Sequence, residues 1–350
     1  MQFYFFIILF FFLLTYASLD KDIFSIKYLF LKYCYIISFF LLFILSAFRY
    51  GIETDFFAYE FLYNNDNSSV EPSFNLFVTV IKKIWDNFSF FIFCWAFISM
   101  FTKYNFFKCL KNPQLGYFIF FCFFYINLEW NILRQGLAIS FLLLSINFVE
   151  KKKFLPFLFF VGLATSIHIS SIIFLPVFFI NNRSLSLKRI FYITVILLFI
   201  KYFVLNYFID AFIGILHRVT GGALFIYTQR IEGYLKLTTN KRITFGFVRR
   251  FIIILFYFIL SGKKKDKNLY LNIYFVGFII YTLFMGNEVL STRISLPYEV
   301  SMVGLFGNIS FCKRINLNYI FLTFTVLCLL IFIVMIRGGN AIPYISIFNI

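Results

Sequence analysis

The chain has 350 residues, of which 62% are hydrophobic, 24% aromatic and 13% charged, with a formal net charge of +17. A soluble domain carries about 25% charged residues and needs polar surface to cover its core, so a soluble globular protein is excluded, and the wealth of aromatic side chains excludes a disordered chain. An integral membrane protein remains, with nucleic-acid binding as the competing explanation of the charge.

A spanning helix needs about 20 mainly apolar residues. Runs of this kind cover 3–19, 28–48, 88–102, 115–129, 132–149, 154–180, 190–209, 247–260, 269–285, 294–309 and 318–336, each bounded by charge, Pro, Asn or Gly. They are too long for barrel strands and lack the alternation of an outer-membrane barrel. The expected fold is an all-α polytopic membrane protein with about 10–12 transmembrane helices. It forms one transmembrane domain over 1–350, with outer loops at 49–87 and 210–246. The first run has no basic residues before it and reads as a retained helix rather than a secretory signal. Residues 74–85 mix apolar side chains with Lys82 and Lys83, are too polar to span, and read as a helix lying at the membrane surface.

The run at 154–180 poses a parity problem. Its flanks, Glu150 to Lys153 and Arg183 to Arg189, are both basic, and its length suits neither one straight span nor two. Pro156 and Pro176 lie near its ends, with Thr165, Ser166, His168, Ser170 and Ser171 in the middle. A broken or re-entrant hairpin with a polar tip would place both flanks on one side. One long tilted helix is the alternative.

Lys and Arg in short loops mark the cytoplasmic side. Connections around 20–32, 103–111, 150–153, 183–189, 263–267 and 313–314 hold eighteen basic and four acidic residues, a balance of +14. The other side holds thirteen basic residues and eleven carboxylates, and Lys201 completes the net charge. Membrane topology therefore accounts for most of the +17, and nucleic-acid binding loses its support. The six cysteines, Cys34, Cys94, Cys109, Cys122, Cys312 and Cys328, form no CxxC pair and read as small buried hydrophobes. With two histidines and no HExxH, neither a metal site nor a cofactor is expected.

The informative residues are the sparse polar ones on the outer side. The stretch Arg49-Tyr50-Gly51-Ile52-Glu53-Thr54-Asp55-Phe56-Phe57-Ala58-Tyr59, followed later by Glu71-Pro72, is acidic and aromatic, as a sugar site would be. A solvated loop obeying the charge rule explains the same residues. Asn131-Ile132-Leu133-Arg134-Gln135-Gly136 opens a span with an arginine, either snorkelling to the interface or forming an anion site with free backbone N–H groups. His168 is a packing residue or a general base, with no acid partner identifiable by spacing. The loop 210–244 carries His217, Arg218, Tyr227, Arg230, Tyr234, Lys241 and Arg242, and Asn287-Glu288 is followed by Arg293 and Tyr298. Arginines at several outer helix ends would suit a polyanion such as a lipid-linked pyrophosphate.

In this order these elements resemble the EpsG-type, Wzy-like polysaccharide polymerases. The resemblance rests on Arg49 to Tyr59, Glu71-Pro72-Ser73-Phe74, Asn131 to Ala138, His168-Ile169-Ser170-Ser171 through Pro176, and the late Arg293 and Tyr298. The first motif departs in carrying Glu53 where a smaller residue is expected. The resemblance implies a GT-C-like membrane glycosyltransferase in the bacterial cytoplasmic membrane, multi-pass and active on its outer face. Such an enzyme joins repeat units carried on undecaprenyl pyrophosphate into O-antigen, capsule or exopolysaccharide, without a nucleotide sugar. Its partners would be lipid-linked donor and acceptor, membrane lipids and a chain-length regulator. Under this reading His168, Asp55 and Arg134 are the candidate catalytic residues. Arg49, Glu53, Tyr59, Glu71, Gln135, Arg230, Arg242, Arg293 and Tyr298 are the candidate substrate-binding residues. Arg134, with Arg293 and Arg230 or Arg242, would hold the pyrophosphate, and His168, Asp55, Glu53 or Glu71 would take the acceptor proton. A transporter or lipid-linked-sugar flippase, a polyprenyl-phosphate-sugar glycosyltransferase and an acyltransferase built on His168 stay open as other classes.

Overall fold

The computed structural model describes residues 2–19, 27–52, 55–65, 71–183, 185–204, 243–261, 268–309 and 344–347. Nearly all of this is helix, as expected of an all-α polytopic membrane protein; among the described residues the extended pairing is a lone bridge between Arg49 and Ser346. Packing divides the chain into two units, Met1–Phe178 with Met302–Ile350, and Phe179–Ser301.

In the first unit α1 (Gln2–Leu19) and α2 (Lys27–Ala47) precede two short helices, α3 (Asp55–Asn64) and α4 (Pro72–Ile84). The helix α4 starts on Pro72, whose fixed φ and missing N–H suit a first turn. It buries Phe74, Val78 and Ile81 at helical spacing and leaves Leu76, Val80, Ile84 and Trp85 exposed beside Lys82 and Lys83. The helix expected over 74–85 is present, with one face buried. Next comes α5 (Phe88–Phe107), capped by the Asn87 side chain, which accepts from the Phe90 N–H at 3.1 Å. Its end leaves Cys109 exposed in the following turn, so this cysteine is not the buried hydrophobe expected; Cys34 and Cys122 are buried. Among the described residues two helices, Phe88–Phe107 and Leu133–Glu150, are long and apolar enough to cross a membrane.

The next run is not one α-helix. From α6 (Pro113–Phe120) it continues as a π-helical segment, Phe121–Asn131, and then turns into α7 (Leu133–Glu150). The turn is tight because Gly136 lies against the Leu128 carbonyl oxygen, with which any Cβ at that position would collide. The obstacle is backbone and cannot rotate away. Gly136→Ala should therefore cost stability at the upper end of the roughly 1–3 kcal/mol of overpacked cores. Its thermal unfolding midpoint in detergent is the measurement, and a wild-type midpoint would contradict this packing.

The run at 154–180 breaks where its polar residues cluster. The helix α8 (Phe154–Ile167) ends at His168, which is extended at φ −149° and ψ 110°, and a 3-10 segment, Ile169–Phe179, follows. The Phe178 ring lies 5.0 Å from that of Phe154 and 5.4 Å from that of Phe157. In one continuous helix residues 154 and 178 would stand about 36 Å apart. The chain has doubled back, so the hairpin is the correct alternative and the long tilted helix is excluded.

The second unit holds α9 (Leu187–Phe199) with a π-helical end, Ile200–Val204, then α10 (Phe245–Ser261), α11 (Leu269–Phe284) and α12 (Glu288–Glu299). The Asn272 side chain donates to the Asn181 and Arg183 carbonyls at 2.5 and 2.8 Å and so fixes the start of this unit on α11. The last described run starts earlier than its apolar pattern suggests, at Glu288. The Asn287 side chain accepts from the Leu290 N–H at 3.0 Å and caps that polar first turn. The helix stops at Val300, and α13 (Ser301–Gly307) follows. The run at 318–336 lies outside the described residues.

Candidate functional site

Three segments of the first unit meet at one carboxylate. Glu71, the residue before α4, pairs through Oε2 with Nη1 of Arg134 and through Oε1 lies 3.3 Å from Nδ1 of His168. The backbone N–H of Ile169 also donates to Oε1, at 3.4 Å. A second tie joins the same elements, since the Ser73 hydroxyl donates to the Ser166 carbonyl. The first turn of α4 is thus fastened to the tip of the hairpin, and the break at His168 turns its imidazole toward Glu71. All three side chains are partly open: Arg134 is 26% exposed, Glu71 17% and His168 21%.

Arg134 is placed from several directions. The Trp95 indole donates to the Leu133 carbonyl at 3.2 Å, so α7 begins seven residues, or about 10 Å, beyond the start of α5. The Tyr59 hydroxyl accepts from the Arg134 N–H at 3.4 Å and occupies one of the donors that a helix start leaves over. The guanidinium lies 5.9 Å from the centre of the Phe74 ring. Phe74 packs edge-on against Phe91 and Trp95, in a core cluster that also holds Tyr59, Tyr63, Val78 and Leu137. The result is a recessed polar site on an aromatic floor. Burial pushes the Glu71 carboxyl up, but its own N–H, Arg134, the Ile169 N–H and His168 together hold it below its ordinary value. It stays ionised near neutral pH and keeps Arg134 and His168 in register. Tyr59, buried beside them, has its hydroxyl pushed up by that burial despite Arg134.

Below this site lies a fully enclosed ion pair. Lys103 Nζ stands 2.7 Å from Glu129 Oε1, with side chains 0% and 2% exposed. Lys103 also donates to the Ser99 hydroxyl at 2.7 Å and to the Gly136 carbonyl at 3.0 Å, and Ser99 donates to Glu129 at 3.2 Å. The Arg49 guanidinium donates to the Glu129 backbone carbonyl. The charge tally puts Lys103 in a cytoplasmic connection and Glu129 outside. Both in fact point into the bundle, where they neutralise each other and set no topology. Together they hold the π-helical segment and the start of α7 against α5.

A family model describing the EpsG family matches residues 32–346, nearly the whole chain. The chain belongs to the EpsG family. No curated protein and no solved structure matches it. Membership supports a polymerase-type role in polysaccharide biosynthesis at a membrane.

In this EpsG-family chain the remaining candidate residues are scattered. Asp55 opens α3 half-buried and close enough to act on the Tyr59 hydroxyl. Arg49, Tyr59 and Gln135 are buried, so their sequence neighbourhood with Asp55 and Arg134 does not translate into an open surface. Arg293 is exposed and Tyr298 buried, its Cβ packed against Gly277, and both belong to the second unit. Glu53, Arg230 and Arg242 lie outside the described residues, with most of the 210–246 loop. Among the described residues no three His, Cys, Asp or Glu side chains are grouped to hold a metal ion.

Sequence reasoning missed Lys103, Glu129, and a second-unit cluster in which Arg249 and Arg250 share Glu299. A signal was present in each case, a charged residue inside or beside an apolar run, where it is costly unless partnered. Loop arithmetic assigned those charges to one side or the other and so hid it.

Proposed function

We propose that this protein polymerises undecaprenyl-pyrophosphate-linked repeat units into a surface polysaccharide, by glycosyl transfer on the outer face of the bacterial cytoplasmic membrane. The observation that carries the reading is the Glu71 carboxylate bridging Arg134 and His168. Nδ1 lies 3.3 Å from Glu71, and in this reading it carries the imidazole proton while Nε2 takes the proton of the acceptor. The acceptor hydroxyl gives its proton to Nε2 as its oxygen attacks the anomeric carbon of the donor. The bond from that carbon to the pyrophosphate oxygen breaks, and Arg134 stabilises the charge on the departing pyrophosphate. Glu71 stabilises the imidazolium that forms. Asp55 and the aromatic surroundings position sugar rings, and the uneven charge of the loops supports an outward-facing site. Donor and acceptor are both lipid-linked, and a chain-length regulator is the expected protein partner.

Purified protein incubated with lipid-linked repeat units, with and without a chelator, tests this. Polymer is expected in both arms. Loss of polymer in chelator would point to a metal-dependent enzyme using a polyprenyl-phosphate sugar. Lipid crossing a vesicle bilayer without new glycosidic bonds would point to a flippase.

A further inference from the structure

The second unit contains a charge imbalance that the proposed reaction leaves unused. Arg250, on α10, places Nη2 2.5 Å from Glu299 Oε1, donates through Nη1 to the Gly246 carbonyl at 2.9 Å, and stacks 3.5 Å from the centre of the Tyr281 ring. Its neighbour Arg249 reaches the other oxygen of the same carboxylate, at 3.8 Å. Ser295 also donates to Glu299. Two guanidinium groups therefore share one carboxylate, and the Nε atoms of both are buried with no hydrogen-bond partner. Arginine cannot relieve such an excess by losing a proton. An uncompensated positive charge beside lipid is costly, and a bound anion removes the cost. Arg250 is 3% exposed, whereas Arg249, at 16%, opens the cluster to the outside.

We propose that Arg249 and Arg250 form a phosphoryl-anion site in the second unit, where an incoming anion competes with Glu299 for their N–H edges. A phosphoryl group fits better than a halide, because N–H edges of two guanidinium groups bind several oxygens of one anion at once. Its source is either the phosphate of a polyprenyl lipid or free inorganic phosphate.

The test uses full-length protein in detergent carrying Arg134→Ala, so that the first-unit arginine contributes nothing. Thermal unfolding is followed while inorganic pyrophosphate or farnesyl pyrophosphate is added. Both probes should raise the midpoint, as a ligand of the folded state does. Adding Arg249→Gln should weaken the response at least about tenfold, the scale of one charge-assisted hydrogen bond. That substitution leaves Arg250 and Glu299 as a neutral pair, so the ligand-free midpoint should stay level or rise. Glu299→Gln, which removes the competing carboxylate, should tighten binding. Tighter binding of farnesyl pyrophosphate identifies a lipid-borne anion and equal binding a free one, and either supports the site. No response in the Arg134→Ala protein, an unchanged response after Arg249→Gln, or a lowered ligand-free midpoint in that variant would overturn it. None of these readouts depends on polymer formation, so failure of the polymerase reading would leave this result standing.

Discussion

Replacing either Arg134 or His168 with Ala is expected to abolish long polymer while the protein still reaches the membrane in normal amount. Loss of a general base costs typically 10²–10⁴-fold in rate, and loss of a group stabilising a leaving charge about 10²–10³-fold. Either reduction leaves single repeat units as the main product. Both side chains are partly open, so their removal creates no large cavity. Glu71→Gln should fall between wild type and these variants, because the amide keeps the shape of the carboxylate but no longer balances Arg134 or stabilises an imidazolium. Arg134→Lys should recover little, since an ammonium cannot serve Glu71 and a pyrophosphate with separate edges. If the three residues act as a unit, the double variant of Arg134 and His168 will be no worse than the weaker single one. Polymer length on gels, normalised to membrane protein, is the measurement. Wild-type chain lengths in both Ala variants would remove Arg134 and His168 from the reaction.

The largest effect on stability should come from Lys103→Met. It leaves the Glu129 carboxylate enclosed without its cation, and breaking one side of a buried pair costs about 3–5 kcal/mol. The double variant Lys103→Met with Glu129→Gln should regain most of the loss, because a neutral buried pair carries no such penalty. Thermal unfolding in detergent compares the two. A single variant as stable as wild type, or a double variant no better than the single, would show that the pair is not closed to solvent. Full polymerase activity need not return with stability in the double variant, because the Gly136 carbonyl has lost its donor.

Much of the fold was legible in the residues. Long apolar runs without alternation specify helices that need a membrane, and the spacing of Phe74, Val78 and Ile81 against Lys82 and Lys83 specifies an amphipathic helix. The parts of the site were legible as parts: Arg134 at a helix start, His168 in a polar interruption and Glu71 before a proline. Their meeting was not. No spacing rule connects Glu71 with Arg134, which are 63 positions apart, or shows that the acid partner of His168 comes from a loop before α4. The hairpin was one of two solutions to a parity count, and the Phe178 ring against Phe154 and Phe157 decides between them. The Lys103–Glu129 pair was hidden because sequence order places its members at opposite ends of neighbouring spans. Lys103 reaches both Glu129 and the Gly136 carbonyl at the start of α7.

The hairpin also gives the molecule a form of biosynthetic latency. A chain released from the ribosome only as far as α7 already has Glu71 and Arg134, but no imidazole lies beside them. The third member arrives when residue 168 has been made and the segment after it has turned back along α8. A truncated or half-inserted copy therefore lacks the group assigned to proton transfer. On the proposed mechanism, sugar transfer would be confined to molecules in which the chain has passed that reversal.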